Sequence, residues 1–361
     1  FTTANSTLLA LLIFPNKSAT DSQTQDLINF VRGIDTYDED GDGNTTEARH
    51  KLGDIYHSEM VVVGPPDSGT EDNGFANFSK TDAYYRSQNQ YNNFKNGSTC
   101  GGPCVNRKEI ILAGSNDGML HAFDTSNGDE LWAFIPPNVL GNLSGMVSSK
   151  AKSSNAIYGV DGSPIVKDIY YDDTPDNGVY DPVWKTIVLT GLGAGGHGYF
   201  ALDITDVNNP KHLFAIQNDP FNTIVKHWDE NAAYNDYNYE DGNINADYDY
   251  IKLGEAWSTP RIIRIKVSGK DKWVAVFGGG YNGSVNGYYG SAVFVMDLED
   301  KGKLLKKIDI VDYLHWVMNY YYADGTTTDF LIPYNYRTKD FYIRVKINNA
   351  SPAPFTLVGT E

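Results

Sequence analysis

Between Tyr37 and His50 the chain reads YDEDGDGNTTEARH, and this is the stretch whose residue types and spacing most clearly suit chemistry. Asp38, Asp40 and Asp42 stand at alternate positions, Gly43 follows, and Asn44 and Glu47 come after. That is the D-x-D-x-D-G arrangement in which a tight loop turns successive side-chain oxygens inward on a Ca²⁺ ion. A hard cation wants about six to eight oxygens, and three carboxylates this close repel one another without one. A full twelve-residue calcium loop would carry Glu at its last position, where this chain has Arg49, so Glu47 would close a shorter loop. The competing reading is a solvated acidic turn. The expected ligand set is Asp38, Asp40, Asp42, Asn44 and Glu47, with Ca²⁺ as the cofactor.

Other candidates are weaker. Cys100 and Cys104 sit in CGGPC, where two glycines and a proline let them meet as a small loop staple, implying an oxidising compartment. Free thiols are the next reading; zinc would want histidine partners, and redox catalysis would more usually show CxxC. Gly191 to Gly196 contains Gly-x-Gly-x-x-Gly, but a dinucleotide loop needs a helix directly after it, and His197 to Asp203 reads as a strand. A glycine turn between strands is the expectation. Asp172, Asp173, Asp176 and Asp181 crowd one hairpin at a spacing that matches no standard cation loop. His57, His121 and His197 read as packed or surface histidines. With no Gly-x-Ser-x-Gly and no histidine cluster, no catalytic residue is assigned and the chain is expected not to be an enzyme.

The elements that must position these residues are mostly strands. From Lys108 to Pro137, three short β-prone runs alternate with Asn/Asp/Gly turns, the meander of one propeller blade. A second unit runs from Val160 through Trp184–Thr190 to Tyr199–Asp203, and a third from Ser258 through Trp273–Phe277 to Val293–Asp297. Asp124, Asp203 and Asp297 hold equivalent places, each ending an apolar run. Asp117, Asp124 and Trp132 are expected to hold turns and blades together. Ahead of the blades, Thr2 to Phe14 reads as an extended lead. Thr20 and Gln23 then form a capping box for a helix through Leu27, Ile28, Phe30 and Val31, closed by Gly33. It reads as the one substantial helix. Pro65 to Arg107 is a polar insertion, and the Tyr-rich stretch from Asp229 to Tyr250 reads as a long exposed recognition loop. The expected architecture is therefore all-β, a β-propeller with long insertions. Residues 1–56 form a lead segment with a helix and the calcium-type loop, and residues 57–361 a propeller incomplete at its C-terminus.

Composition narrows the partners. The chain has 361 residues, 41% of them hydrophobic, which fills a core. A formal charge of -17 argues against nucleic acid, since no basic stripe offsets it. Leu8 to Phe14 is far short of the ~20 residues that span a bilayer. The chain opens at Phe1 without methionine and reads as a mature or trimmed piece of something longer.

GSNDGMLHAFDTSNGDELWAFIP, VDGSPIV, WKTIVLTGLGAGGHGYFALDIT and WVAVFGGGYN, in that order, resemble the C-terminal propeller of PilY1/PilC-type type IV pilus tip proteins. LINFVRG followed by LGDIYHS resembles the segment leading into it. The resemblance covers roughly Leu27 to Ile310. It implies an exported, extracellular protein at the pilus tip on minor pilins, adhering to a host or abiotic surface, binding calcium, and promoting pilus extension. Where that family carries an acidic loop in a later blade, this chain keeps only Asp324 and Asp329. AFDTSNGDELW also resembles the blade-docking pattern of quinoprotein dehydrogenases, in which Trp132 would staple neighbouring blades. A quinoprotein-type dehydrogenase and a carbohydrate-binding extracellular propeller are the alternative readings.

Overall fold

The computed structural model describes residues 1–310 apart from 15–17, 75, 101–103, 148–154, 156, 174–178, 240–243 and 282–288. Its strands form three antiparallel sheets in chain order. The first holds β1 (Val61–Val63), β2 (Ile110–Gly114), β3 (Leu120–Asp124) and β4 (Glu130–Phe134). The second holds β5 (Pro164–Tyr171), β6 (Val183–Gly191), β7 (Gly198–Asp203) and β8 (Lys211–Asp219), extended by β9 (Ile224–Trp228) and β10 (Tyr234–Asn238). The third holds β11 (Arg261–Val267), β12 (Lys270–Gly278), β13 (Ala292–Asp297) and β14 (Leu304–Asp309). Each sheet begins with a four-strand meander, and the first strand of the second touches those of the other two. These are propeller blades, as the sequence implied. The part of the expected propeller beyond residue 310, with Asp324 and Asp329, lies outside the described residues.

The middle blade explains the packing. Along β6 and β7, side chains alternate between two apolar clusters. Val188, Phe200 and Leu202 face Leu112 and Leu120 of the first sheet. Ile187, Leu189, Tyr199 and Ala201 face Trp273, Phe277 and Phe294 of the third. A strand buried on both faces reads as a continuous apolar run, and Ile187-Val188-Leu189 at the centre of β6 does so for that reason.

A polar repeat recurs at the end of each third strand. Asp124 pairs in register with Ile110, Asp203 with Ile187 and Asp297 with Val274. Two residues before each partner stands a lysine: Lys108 reaches Asp124 at 2.8 Å, Lys185 reaches Asp203 at 3.1 Å, and Lys272 reaches Asp297 at 2.6 Å. Each aspartate also accepts the backbone N–H two residues on, from Ser126, Thr205 and Glu299. The equivalence read from the sequence thus has a structural cause, an Asx turn locked by a lysine.

At the other end of the blades, Ser58 accepts the Gly114 N–H and Ser258 the Gly278 N–H, both at 2.9 Å. In the middle blade two glycines meet instead. A Cβ on Gly162 would stand 2.4 Å from the Gly191 carbonyl oxygen, so no side chain fits there.

Helices depart most from the sequence reading. Helix α2 (Asp21–Val31) has its capping box, with Thr20 accepting the Gln23 N–H at 3.2 Å and Gln23 accepting that of Thr20 at 2.9 Å. Gly33 follows at φ 100°. The expected extended lead is instead α1 (Ser6–Ile13). STLLALLI is rich in strong helix formers, and so short an apolar run has no period that separates strand from helix. Nor is α2 the one substantial helix: α3 (Asp82–Gln88) and α4 (Tyr91–Lys95) lie in the polar insertion, α3 capped by Thr81. Tyr91, Phe94 and Cys104 of that insertion join the cluster of Ile169, Trp184 and Trp273. The Tyr-rich stretch is not a free loop either. It forms β10 and a 3₁₀ turn, with Tyr248 and Tyr250 buried and Tyr237 stacked on Tyr248 at 4.6 Å. No described helix is long and apolar enough to cross a membrane.

Candidate metal centre

The acidic loop hangs between the end of α2 and the first blade. Its neck is a two-residue ladder: Ile34 bridges Ala48, the Asp35 N–H donates to the Glu47 carbonyl at 2.9 Å, and the Arg49 N–H donates to that of Gly33 at 3.0 Å. Inside the neck the chain turns through left-handed positions at Asp38, Gly41 and Gly43, with φ 54°, 73° and 89°. Aspartate tolerates that region better than most residues, and glycine enters it freely. Asx-type contacts set the curl: Asp38 accepts the Gly43 N–H, Asp40 that of Asp42, and Asp42 that of Asn44.

The curl brings two overlapping sets of carboxylates together, each with its oxygens within 4.8 Å: Asp38, Asp40 and Asp42, and Asp35, Asp40 and Glu47. Asp40 belongs to both. Asn44 reaches the group through its amide, which donates to Glu47 at 3.1 Å, while its carbonyl oxygen accepts from Thr46. The charge of Asp42, with Asp40 and Asp35 behind it, holds the Glu47 carboxyl above the usual carboxylate range. Such mutual repulsion is what a divalent cation would relieve.

The geometry also bears on the register. Counted from Gly43 as the sixth loop position, the twelfth is Arg49, but Arg49 is held at 2.7 Å by Glu39 and lies over the Phe30 ring at 3.9 Å. Counted from Gly41, Asp38, Asp40, Asp42 and Asn44 take the third, fifth, seventh and ninth positions, and Glu47 the twelfth. The first would then be Thr36, whose hydroxyl donates to the Asp26 carbonyl at 2.8 Å. The neighbouring Asp35, buried and accepting the Glu39 N–H, would supply the carboxylate that this place lacks. Asp35 was missed from the sequence because it falls outside the alternating pattern. Its position five residues before Asp40 was the available signal. The residues present fit a hard, oxygen-seeking cation.

Elsewhere the candidates resolve into structure. Cys100 and Cys104 are paired. Gly191 to Gly196 is a turn between β6 and β7, as expected. Lys185 lies 3.0 Å from Asp173, so the hairpin acids are partly neutralised from within; Asp176 lies outside the described residues. His121 is buried between Asp117 at 3.0 Å and Glu130 at 2.6 Å. Burial alone would lower its proton affinity, but the two carboxylates outweigh it and raise the imidazole above its ordinary value. Asp117 also accepts the Gly53 N–H at 2.8 Å, which ties the lead segment to the first blade.

A family model described as the PilY1 beta-propeller domain matches residues 52–314. The type IV pilus biogenesis factor PilY1 of Pseudomonas aeruginosa (strain UCBPP-PA14) is 30% identical over 296 residues, 80% of this chain and 19% of that protein. A PilY1 homolog of Xylella fastidiosa (strain Temecula1) is 29% identical over 79% of this chain and 16% of its own length. Among solved structures, the Pseudomonas aeruginosa PilY1 C-terminal domain is 28% identical, with a TM-score of 0.35 over 57% of this chain and 31% of that one. The chain spans about a fifth of the length of the curated relatives it matches.

Proposed function

The chain belongs to the PilY1 β-propeller family, and from that premise we propose that it serves type IV pilus biogenesis as a non-enzymatic, calcium-binding module of a pilus-tip protein. In this reading it is displayed outside the cell, docks on minor pilins, promotes pilus extension and attaches the tip to a host or abiotic surface. The match of the family model across residues 52–314 carries the reading. The relatives named as pilus biogenesis factors support it, and the Cys100–Cys104 pair suits an exported protein.

For calcium, the support is the sharing of Asp40 between two carboxylate sets, which gives one ion oxygens from both sides of the loop. A filled loop would stiffen the segment between α2 and the first blade, where Asp117 already holds Gly53. Calcium would then act on the setting of the blades rather than on any reacting group.

The pilus reading is tested by deleting these residues from the parent gene, then counting surface pili and probing sheared fibres for minor pilins. Loss of pili, and recovery of the intact protein with minor pilins at fibre ends, is the expected result. Normal piliation and no association with pilins would overturn it.

A further inference from the structure

Three residues that hold the same place in successive blades meet at one end of the propeller. His57, Asp161 and Trp257 each directly precede the residue, Ser58, Gly162 or Ser258, that fastens the first strand of a blade to its second. His57 Nδ1 lies 2.6 Å from Asp161 Oδ2, and the His57 and Trp257 rings stand edge to face at 4.9 Å. Tyr56 also packs on the imidazole, at 4.1 Å. The helical insertion follows β1, at the opposite end of the blades, so it does not cover this cluster.

We propose that this end of the propeller is a saccharide-binding site, with Trp257 and Tyr56 as its stacking surfaces and His57 and Glu255 as its hydroxyl acceptors. Trp184, Trp228 and Trp273 are buried, whereas Trp257 is 36% exposed and Tyr56 70%. Among the described residues this leaves a large aromatic area in water at a junction of three blades. The indole is nevertheless fixed, because its Nε1 donates to Glu255 Oε2 at 2.8 Å and the imidazole packs against it at 89°. A preset apolar face of this kind suits the C–H face of a pyranose.

The polar groups select for hydroxyls. Asp161 is buried and lies against Nδ1; in the neutral imidazole that contact fixes the tautomer and leaves Nε2 as an acceptor, with no protein partner among the described residues. Glu255 keeps its second oxygen. Acceptors beside an aromatic face match a ring edged with O–H donors. An ammonium ligand would want an uncommitted carboxylate over the aromatic face, but Asp161 is spent on His57 and Glu255 is tethered at the indole edge.

The site is separate from the acidic loop, and the proposal does not depend on calcium or on pili. The full chain is titrated in EDTA with methyl mannoside, methyl galactoside and N-acetylglucosamine by saturation-transfer NMR, and probed on an array of neutral glycans. At least one saccharide is expected to bind saturably. Trp257→Ala and Tyr56→Ala should each weaken it about tenfold or more, His57→Gln should weaken it as well, and Trp257→Phe should keep part of it. Tyr56→Ala leaves the melting temperature near that of the parent, which separates lost binding from lost folding. The proposal is overturned if no glycan binds, if binding survives both alanine variants, or if methylammonium binds in preference to every sugar.

Discussion

Trp132 on β4 and Val207 after β7 belong to adjacent blades, and the indole Nε1 of the first donates to the carbonyl oxygen of the second at 2.7 Å. Val207 is fully buried, so no water can replace that donor. Trp132→Phe keeps part of the apolar contact and removes the N–H together with the five-membered ring. Leaving one buried carbonyl unsatisfied costs about 1–3 kcal/mol, and the denaturant midpoint should fall accordingly. An unchanged midpoint would show that the blades are held without this contact.

The three lysine–aspartate pairs make a graded series. Lys272 and Asp297 are 26% and 4% exposed, whereas Lys108 is half in water. Lys272→Met leaves a buried carboxylate without its partner beside Glu299, and should destabilise by roughly 2–4 kcal/mol, toward the low end for broken buried pairs. Adding Asp297→Asn should restore part of the loss. Lys108→Met at the equivalent place should do much less. Equal losses at the two sites would mean that burial does not govern the repeat.

Much of this is legible in the amino-acid sequence alone, for reasons that particular residues make plain. Glycines and aspartates punctuate each blade because its turns require them, and the double-sided burial at the centre of β6 is written as the consecutive apolar residues Ile187, Val188 and Leu189. The Thr20–Gln23 box marks the start of α2 because capping is local. What could not be read depends on distant partners. Tyrosine has an apolar ring and a polar tip, so the sequence does not say that Tyr250 is buried with its hydroxyl on the Gly302 carbonyl. Asp35 joins the acidic loop where the Ile34–Ala48 bridge closes its neck. His57 and Asp161 are 104 residues apart and meet because blades share an axis.

The loop predicts a calcium-dependent melting curve. Because Asp40 serves both carboxylate sets, Asp40→Ala should abolish the stabilisation given by the ion and leave the metal-free protein little changed. A ligand at a hundred times its Kd adds about 2.7 kcal/mol, a shift visible in scanning calorimetry with Ca²⁺ against EGTA. Asp35→Asn should reduce the shift too, which a site built from Asp38, Asp40, Asp42, Asn44 and Glu47 alone would not require. Identical calcium responses in parent and Asp40→Ala would remove the site.

Glu299 gives the chain a stability that depends on pH near neutrality. Burial is the main cause that pushes its carboxyl up to about 7, with Asp297 and Asp271 adding to it, against the Trp273 N–H at 2.6 Å and Lys272 at 3.9 Å. The folded state therefore holds this proton more tightly than the unfolded chain does. Its contribution to stability is fully present below about 4.5, the ordinary value, and is lost as pH rises through about 7. Glu299→Gln keeps an oxygen for the Trp273 N–H but cannot ionise. Relative to the parent, the variant should gain of order 1–3 kcal/mol between pH 4.5 and pH 8, read as urea midpoints at each pH. A parent–variant difference that stays flat across that window would show that Glu299 is ionised throughout, with Lys272 and the Trp273 N–H outweighing its burial.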